Sequence, residues 1–235
     1  MKSNISFIKS YLKKLPLGFL VLLALFASSI FIFTYVAHQV FWEKEEEMDQ
    51  EIFNYIAAYI MNPGLTGFME TVTYFASAGF LRVAYAILVL LYLLRKNFKR
   101  AIEIGVIGLG GYAINYFMKI SFQRTRPDGP LIEPLLNFSF PSGHATSGFI
   151  FYGLLIYLIW KTGLSNKIKY PVSILLACFG LLIGFSRIYL RMHYPSDVFA
   201  GFCIGFAWLS LSTYLMSRLK EKSDRETTSR EKVEK

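Results

Sequence analysis

Charged residues are scarce in this sequence: Asp, Glu, Lys and Arg make up 17% of its 235 positions, while hydrophobic residues make up 54%. A soluble domain carries about a quarter of its residues charged. An ordinary aqueous core therefore cannot account for the apolar surplus, and the solvent for most of the chain is lipid. Charge is also missing where a coupled transporter needs it. Apart from Arg82, in the outer half of the run 74–94, no Asp, Glu, Lys or Arg falls near the middle of a long apolar run, whereas a proton- or ion-coupled carrier is expected to place one there. The two cysteines, Cys178 and Cys203, both lie inside apolar runs. They read as buried thiols packed like small apolar residues rather than as a disulfide or metal pair. No Cys/His cluster has metal-ligand spacing, so no metal and no cofactor are expected, and there is no internal repeat.

What is present is a succession of apolar runs near the roughly 17–25 residues that cross a bilayer as a helix. They cover 17–37, 74–94, 102–118, 145–160, 171–186 and 198–216. The first follows Lys2, Lys9, Lys13 and Lys14. It runs past the ~15-residue apolar core of a signal peptide and has a bulky exit at Tyr35 to Gln39, so it reads as a retained span. The fold class is all-α, a polytopic membrane protein of six transmembrane helices with no room for a second domain. The segment 43–73 opens with the acidic "EKEEEMDQE" and continues with apolar residues at helical spacing broken at Pro63-Gly64. Two short interfacial helices between the first and second spans follow from that pattern. They form either a rim beside a lipid access path or a connector packed on the bundle.

Most of the 25 Lys and Arg fall in segments that the six spans place on one side. These are the N-terminal lysines, then Arg95, Lys96, Lys99 and Arg100, then Lys161, Lys167 and Lys169, then the tail. The positive-inside rule puts both termini in the cytoplasm. Residues 1–16 are a basic cytoplasmic N-terminus, 17–217 the membrane domain, and 218–235 a charged tail expected to be frayed and solvated. The net charge of +9 reflects topology and affinity for anionic headgroups, with no nucleic acid as partner.

The outer segments 119–143 and 187–197 concentrate the residue types that the spans exclude. "KISFQRTRP" sets Lys119 and Arg126 at two points of the first. Two fixed cations suit a multiply charged anion, and Arg grips a phosphoryl group with two parallel hydrogen bonds. Alone, the pattern is equally that of boundary anchors. "PSGH" opens the fourth span: Ser142 can cap the helix, Gly143 lets backbone N–H groups approach a ligand, and the helix N-terminus attracts an anion. His144 then projects beside that cradle, unless it is an incidental residue of an interfacial cap. "SRIYLRMHYPSD" supplies Arg187, His193 and Asp197. A carboxylate beside His193 would hold one ring nitrogen as N–H and leave the other as a lone pair. Otherwise Asp197 complements the helix dipole and His193 is an exposed loop residue. Two of three histidines share one membrane face with Lys119, Arg126, Arg187 and Asp197, which the separate readings leave as coincidence. Arg124, Arg191 and Tyr194 lie beside these motifs and read as surface or interface residues.

The three stretches, K-x6-RP at 119–127, PSGH at 141–144 and SR-x5-H-x3-D at 186–197, resemble the signature of the type-2 phosphatidic acid phosphatase, or lipid phosphate phosphatase, superfamily. All three occur in order, and the six-helix plan extends the similarity to roughly residues 15–218. Vanadium-dependent haloperoxidases share the signature but are soluble. The resemblance implies metal-independent hydrolysis of a lipid phosphate or diphosphate through a phosphohistidine. In it, His193 would be the nucleophile, Asp197 its orienting partner and His144 the acid on the leaving oxygen. Lys119, Arg126 and Arg187, with Ser142 and the Gly143 N–H, would hold the phosphoryl oxygens. Undecaprenyl diphosphate, phosphatidylglycerol phosphate and phosphatidic acid are the candidate substrates, met on the extracytoplasmic side. The opposed proton states of the two histidines predict a bell-shaped pH profile. The competing readings are a lipid phosphotransferase, which would need an acceptor other than water, and a non-catalytic transporter or lipid-binding protein. The sequence sets no oligomeric state.

Overall fold

The computed structural model of the chain describes residues 17–133 and 136–233, with side chains described to 219. The basic N-terminal segment 1–16 and Pro134 of the first outer loop lie outside the described residues. The described residues form helices, joined by short connections except between Phe122 and Gly143, with no strand among them. In chain order the helices are α1 (Leu17–His38), α2 (Glu47–Tyr59), α3 (Pro63–Tyr74), α4 (Ala78–Leu94) and α5 (Phe98–Phe122). They continue with α6 (Gly143–Trp160), α7 (Asn166–Tyr189) and α8 (Pro195–Val233). A single π turn, Gln39–Glu43, extends α1.

Five helices are long and apolar enough to cross a membrane on their own, and six if the bent pair α3 and α4 counts as one span. That pair meets at 42°. The bend is set by Ser77, whose side chain accepts from Phe80 N at 3.2 Å and starts α4 as a new helix. The second span thus begins at Ala78, four residues later than the apolar run suggested, because Tyr74 completes α3 instead. The expected pair of short helices is present as α2 and α3, broken where Asn62 caps α3 by accepting from Leu65 N at 2.9 Å. Pro63 occupies the first helical turn, where its missing N–H has no intrahelical partner to lose.

Helix α6 is the central staff of the bundle, packed on α5, α7 and α8, and α1 lies against α8. Phe33, Ala37 and Ser29 form the buried stripe of α1, and the Ser29 hydroxyl donates to the Cys203 carbonyl at 2.5 Å. Contact between α6 and α8 depends on Gly201. A Cβ there would stand 3.0 Å from the Ser142 carbonyl and 3.1 Å from both Ala145 Cβ and Thr146 Oγ1. Only a glycine lets α8 approach the start of α6 this closely. The remaining large apolar side chains, such as Phe31, Leu109 and Leu175, stay exposed, as befits helices whose solvent is lipid.

The expected burial of the two cysteines is corrected here. Cys178 is exposed on α7 and Cys203 is half-buried; within a span an apolar residue can face lipid as readily as protein, so apolar surroundings did not imply burial. The charged tail continues α8 as helix to Val233. Its abundance of Lys, Glu and Arg, all good helix formers, sustains the helix after the apolar residues end.

Candidate active site

The loop 123–142 and the turn 190–194 close over one end of the bundle, and the chemistry-bearing residues converge there. Ser142 caps α6, its hydroxyl accepting from Ala145 N at 3.4 Å, and its own N–H donates to the Asp197 carbonyl at 3.0 Å. That backbone bond ties the start of α6 to the first turn of α8, where Asp197 lies as expected. Gly143 is explained by packing: a Cβ would come within 3.2 Å of Asn115 Oδ1 and 3.7 Å of Lys119 Cε. Asn115 and Lys119, one turn apart on α5, therefore press directly on the PSGH turn. Asn115 also donates to Thr146 Oγ1 at 3.2 Å.

His193 is not an exposed loop residue; it is 1% exposed. Its Nδ1 lies 3.3 Å from Asp197 Oδ2 and 3.2 Å from Ser139 Oγ. Its Nε2 lies 3.3 Å from Arg126 Nη1. A carboxylate on one side and a guanidinium on the other fix the tautomer by their chemistry: Nδ1 carries the proton and Nε2 the lone pair. Burial first, then the charges of Lys119, Arg126 and Arg187, push the His193 pKa well below the usual histidine value, so the ring is neutral at physiological pH.

Asp197 is fully buried and saturated with donors. Arg124 Nη1 reaches Oδ1 at 2.7 Å, and Tyr194 N reaches Oδ2 at 3.1 Å. Ser139 Oγ donates a short hydrogen bond to Oδ2, which also faces His193. Arg126 is held by its own loop and by the turn 190–194, donating to the Asn137 and Met192 carbonyls at 2.9 and 2.6 Å and to Asn137 Oδ1 at 2.5 Å. Burial lowers its pKa and Asp197 opposes the shift. Lys119 Nζ donates to the carbonyls of Phe138 and Ser139 at 2.5 and 3.1 Å.

Arg187 differs from the other cations. It is 2% exposed, and Nη1 donates to Thr73 Oγ1 of α3 at 2.8 Å. Nε and Nη2, which form one edge of the guanidinium fork, are buried with no hydrogen-bond partner among the described residues. Its carbonyl accepts from His193 N at 3.2 Å, and its charge acts on the His193 imidazole. His144, on the first turn of α6, is partly exposed and lies in the combined fields of Arg187, His193, Arg126 and Lys119. All eight candidate residues are thus brought to one locality.

The sequence reading missed a buried layer behind these groups. Arg124, expected at the surface, is buried and bonds Asp49 Oδ2 at 3.0 Å, Ser196 Oγ at 2.8 Å and Asp197. Nothing in its local pattern distinguishes it from a boundary anchor. Asp49 comes from the acidic run of α2. The available signal was its spacing, since it shares a helical face with Phe53 and Ile56, which are buried with it. Ser139, Thr73 and Asn115 carried no separate signal. Among the described residues no group of three or more His, Cys, Asp or Glu is placed to hold a metal ion.

Comparison with known proteins bears on the same region. Residues 100–221 match the PAP2 superfamily. Phosphatidylglycerophosphatase B of Bacillus subtilis (strain 168) is 28% identical over 200 residues, 84% of this chain and 96% of that protein. Undecaprenyl-diphosphatase BcrC of the same organism is 34% identical over 145 residues, 57% of this chain and 70% of that one. The crystal structure of a transmembrane PAP2-type phosphatidylglycerolphosphate phosphatase from Bacillus subtilis aligns with a TM-score of 0.72 at 28% identity, covering 84% of this chain and 96% of that one. That of Aquifex aeolicus LpxE aligns at 0.56 and 25% identity, covering 70% and 94%. With more than half its length matched by the family, and a helical frame shared with a solved member, the chain belongs to the PAP2 superfamily and is a multi-pass membrane phosphatase.

Proposed function

We propose that the protein hydrolyses a lipid phosphate or diphosphate at the extracytoplasmic face of the cell membrane, with both termini cytoplasmic, by phosphoryl transfer to His193. The observation that carries this reading is the buried Arg187 fork with two unpartnered N–H groups beside a neutral, carboxylate-oriented histidine. Burying such donors without partners costs about 1–3 kcal/mol or more, which a site built for an anion offsets when phosphoryl oxygens arrive.

The reaction follows from the arrangement. Arg187 takes two oxygens through Nε and Nη2, Lys119 and the Gly143 N–H take others, and Ser142 holds the α6 N-terminus toward them. Arg126 exchanges its contact with His193 Nε2 for a phosphoryl oxygen, freeing the lone pair. Nε2 attacks phosphorus in line as the bond to the lipid oxygen breaks, and Asp197 stabilises the charge that develops on the ring through Nδ1–H. His144 gives its proton to the leaving oxygen; the incoming dianion favours the charged imidazole that this needs. Water then attacks the phosphohistidine, His144 takes its proton, and inorganic phosphate leaves. Fixed cations provide the charge stabilisation, so no metal or cofactor enters the scheme.

The substrate range rests on the relatives, whose names cite phosphatidylglycerophosphate and undecaprenyl diphosphate; phosphatidic acid completes the set by its headgroup chemistry. Placement at the outer face rests on the positive-inside distribution of Lys and Arg. The test is release of phosphate by the purified protein from each of these lipids in detergent with EDTA present. Release that persists with EDTA and equals substrate consumed supports hydrolysis. Loss with EDTA contradicts the metal-free scheme, and substrate loss without phosphate release indicates transfer to another acceptor.

A further inference from the structure

Behind the His193–Asp197 pair lies a second set of buried charges, contributed partly by a helix outside the three motifs. Asp49, in the first turns of α2, is 2% exposed despite following a run of glutamates. Its Oδ1 accepts from Ser196 N at 2.8 Å, and its Oδ2 accepts from Ser196 Oγ at 2.6 Å and from Arg124 Nη2 at 3.0 Å. Arg124 lies between two carboxylates, with Nη2 on Asp49 and Nη1 on Asp197, and its guanidinium stacks 3.9 Å from the centre of the Tyr194 ring. Burial by itself would lower the Arg124 pKa, but Asp197 and Asp49 outweigh it and hold the group firmly charged.

We infer that Asp49 and Arg124 are positioning residues for the nucleophilic pair: Asp49 clamps Arg124, Arg124 fixes Asp197 Oδ1, and Asp197 thereby presents Oδ2 squarely to His193 Nδ1. The inference rests on the reading of His193 as nucleophile. Without Arg124, Asp197 would keep Ser139 and Tyr194 on Oδ2 and be free to rotate about them. With Lys in its place, one point charge cannot span oxygens in two directions as the planar fork does. Asp49 further holds Ser196 by both its N–H and its hydroxyl, so the α8 turn that carries Asp197 is fixed from the same point. The link from α2 to α3 is held in turn from α7: Tyr189 OH donates to the carbonyl of Asn62, the α3 cap, at 3.0 Å and accepts from Asn62 N at 3.1 Å. The helix pair between the first two spans is accordingly part of the site's support.

The test compares full-length wild type, Asp49→Asn, Arg124→Lys, the double variant and His193→Ala in detergent. The probe is whichever of phosphatidic acid, phosphatidylglycerol phosphate and undecaprenyl diphosphate the wild type hydrolyses fastest. Rates are taken per folded protein, measured by monodispersity and thermal melting. The expected result is a kcat about 10-fold lower for Asp49→Asn and about 100-fold lower for Arg124→Lys, with KM within about twofold because the groups that hold phosphate are untouched. The double variant should fall well short of the product of the two losses, as for residues acting as one unit. If Arg124→Lys does not fold, Asp49→Asn and Ser196→Ala decide the matter by the same kcat-against-KM criterion. A kcat per folded protein equal to wild type in Asp49→Asn, or multiplicative losses in the double variant, overturns the inference. Full activity in His193→Ala would instead overturn the reading on which it rests.

Discussion

The two ends of the bundle handle buried charge in opposite ways. At the end away from the site, Arg100 and Glu103 pair on α5, Tyr157 donates to Glu103 Oε1 at 2.8 Å and accepts from Arg100 at 3.1 Å, and Lys161 lies over the Tyr157 ring. Arg100 and Glu103 balance, and their hydrogen bonds close on one another. At the site end, Lys119, Arg124, Arg126 and Arg187 face two carboxylates, Asp49 and Asp197. Arg124 uses both carboxylates, Lys119 and Arg126 lean on carbonyls, and Arg187 keeps two donors unpaired. Buried Lys169 at that end likewise has a partner, the Thr162 carbonyl at 2.9 Å, so the fold that satisfies its buried donors at one end has the means to do so at the other. The excess cation is therefore a feature of the site, and it defines the ligand as an anion with several acceptor oxygens.

That comparison can be broken by substitution at either end. The largest effect belongs to His193→Ala, which should lower phosphate release by at least about 10⁴-fold with the protein still folded. Next, Arg187→Met keeps the length of the side chain and removes the fork; kcat/KM should fall by about 10²–10³-fold. The pH dependence sharpens the account of the nucleophile. Because burial and the neighbouring cations lower the His193 pKa, protonation that would abolish the lone pair sets in only below the ordinary histidine value. The acid limb of kcat/KM should accordingly lie below about pH 6.5 and fall about tenfold per pH unit, while in kcat, with the substrate dianion bound, loss of the His144 proton sets the alkaline limb. A flat profile over about pH 5–9 would argue against paired histidines. The smallest effect on catalysis belongs to Tyr157→Phe. It should leave kcat and KM unchanged and destabilise the fold by about 1 kcal/mol, read as a lower melting temperature. Loss of activity there would erase the distinction between the ends.

The six-span plan and the break at Pro63 were legible because apolar run length and helical spacing are local properties. So was the gathering of the eight motif residues at one end of the bundle, because all of them lie in or beside the two outer segments. The start of α4 was missed because Tyr74 to Ser77 is apolar enough to continue a span, and only the Ser77 cap divides it. Arg124 and Asp49 were missed for a different reason. Their burial depends on each other across 75 positions, so neither carries a local sign of it, and a cation near a motif and a carboxylate in an acidic run both resemble surface residues. Arg187 illustrates the converse. Its place at the end of a span was evident, yet that two of its donors lack a partner among the described residues, while Thr73 satisfies the third, depends on a contact 114 positions away.

The most direct test of the central claim is a rapid-quench experiment with a lipid phosphate bearing radiolabelled phosphorus, comparing wild type with His144→Ala and His193→Ala. The account predicts an acid-labile, base-stable label on His193 in the wild type, a slower appearance of that label in His144→Ala and none in His193→Ala. Phosphate release by the wild type with no label on His193 at any time, or label retained in His193→Ala, would contradict it.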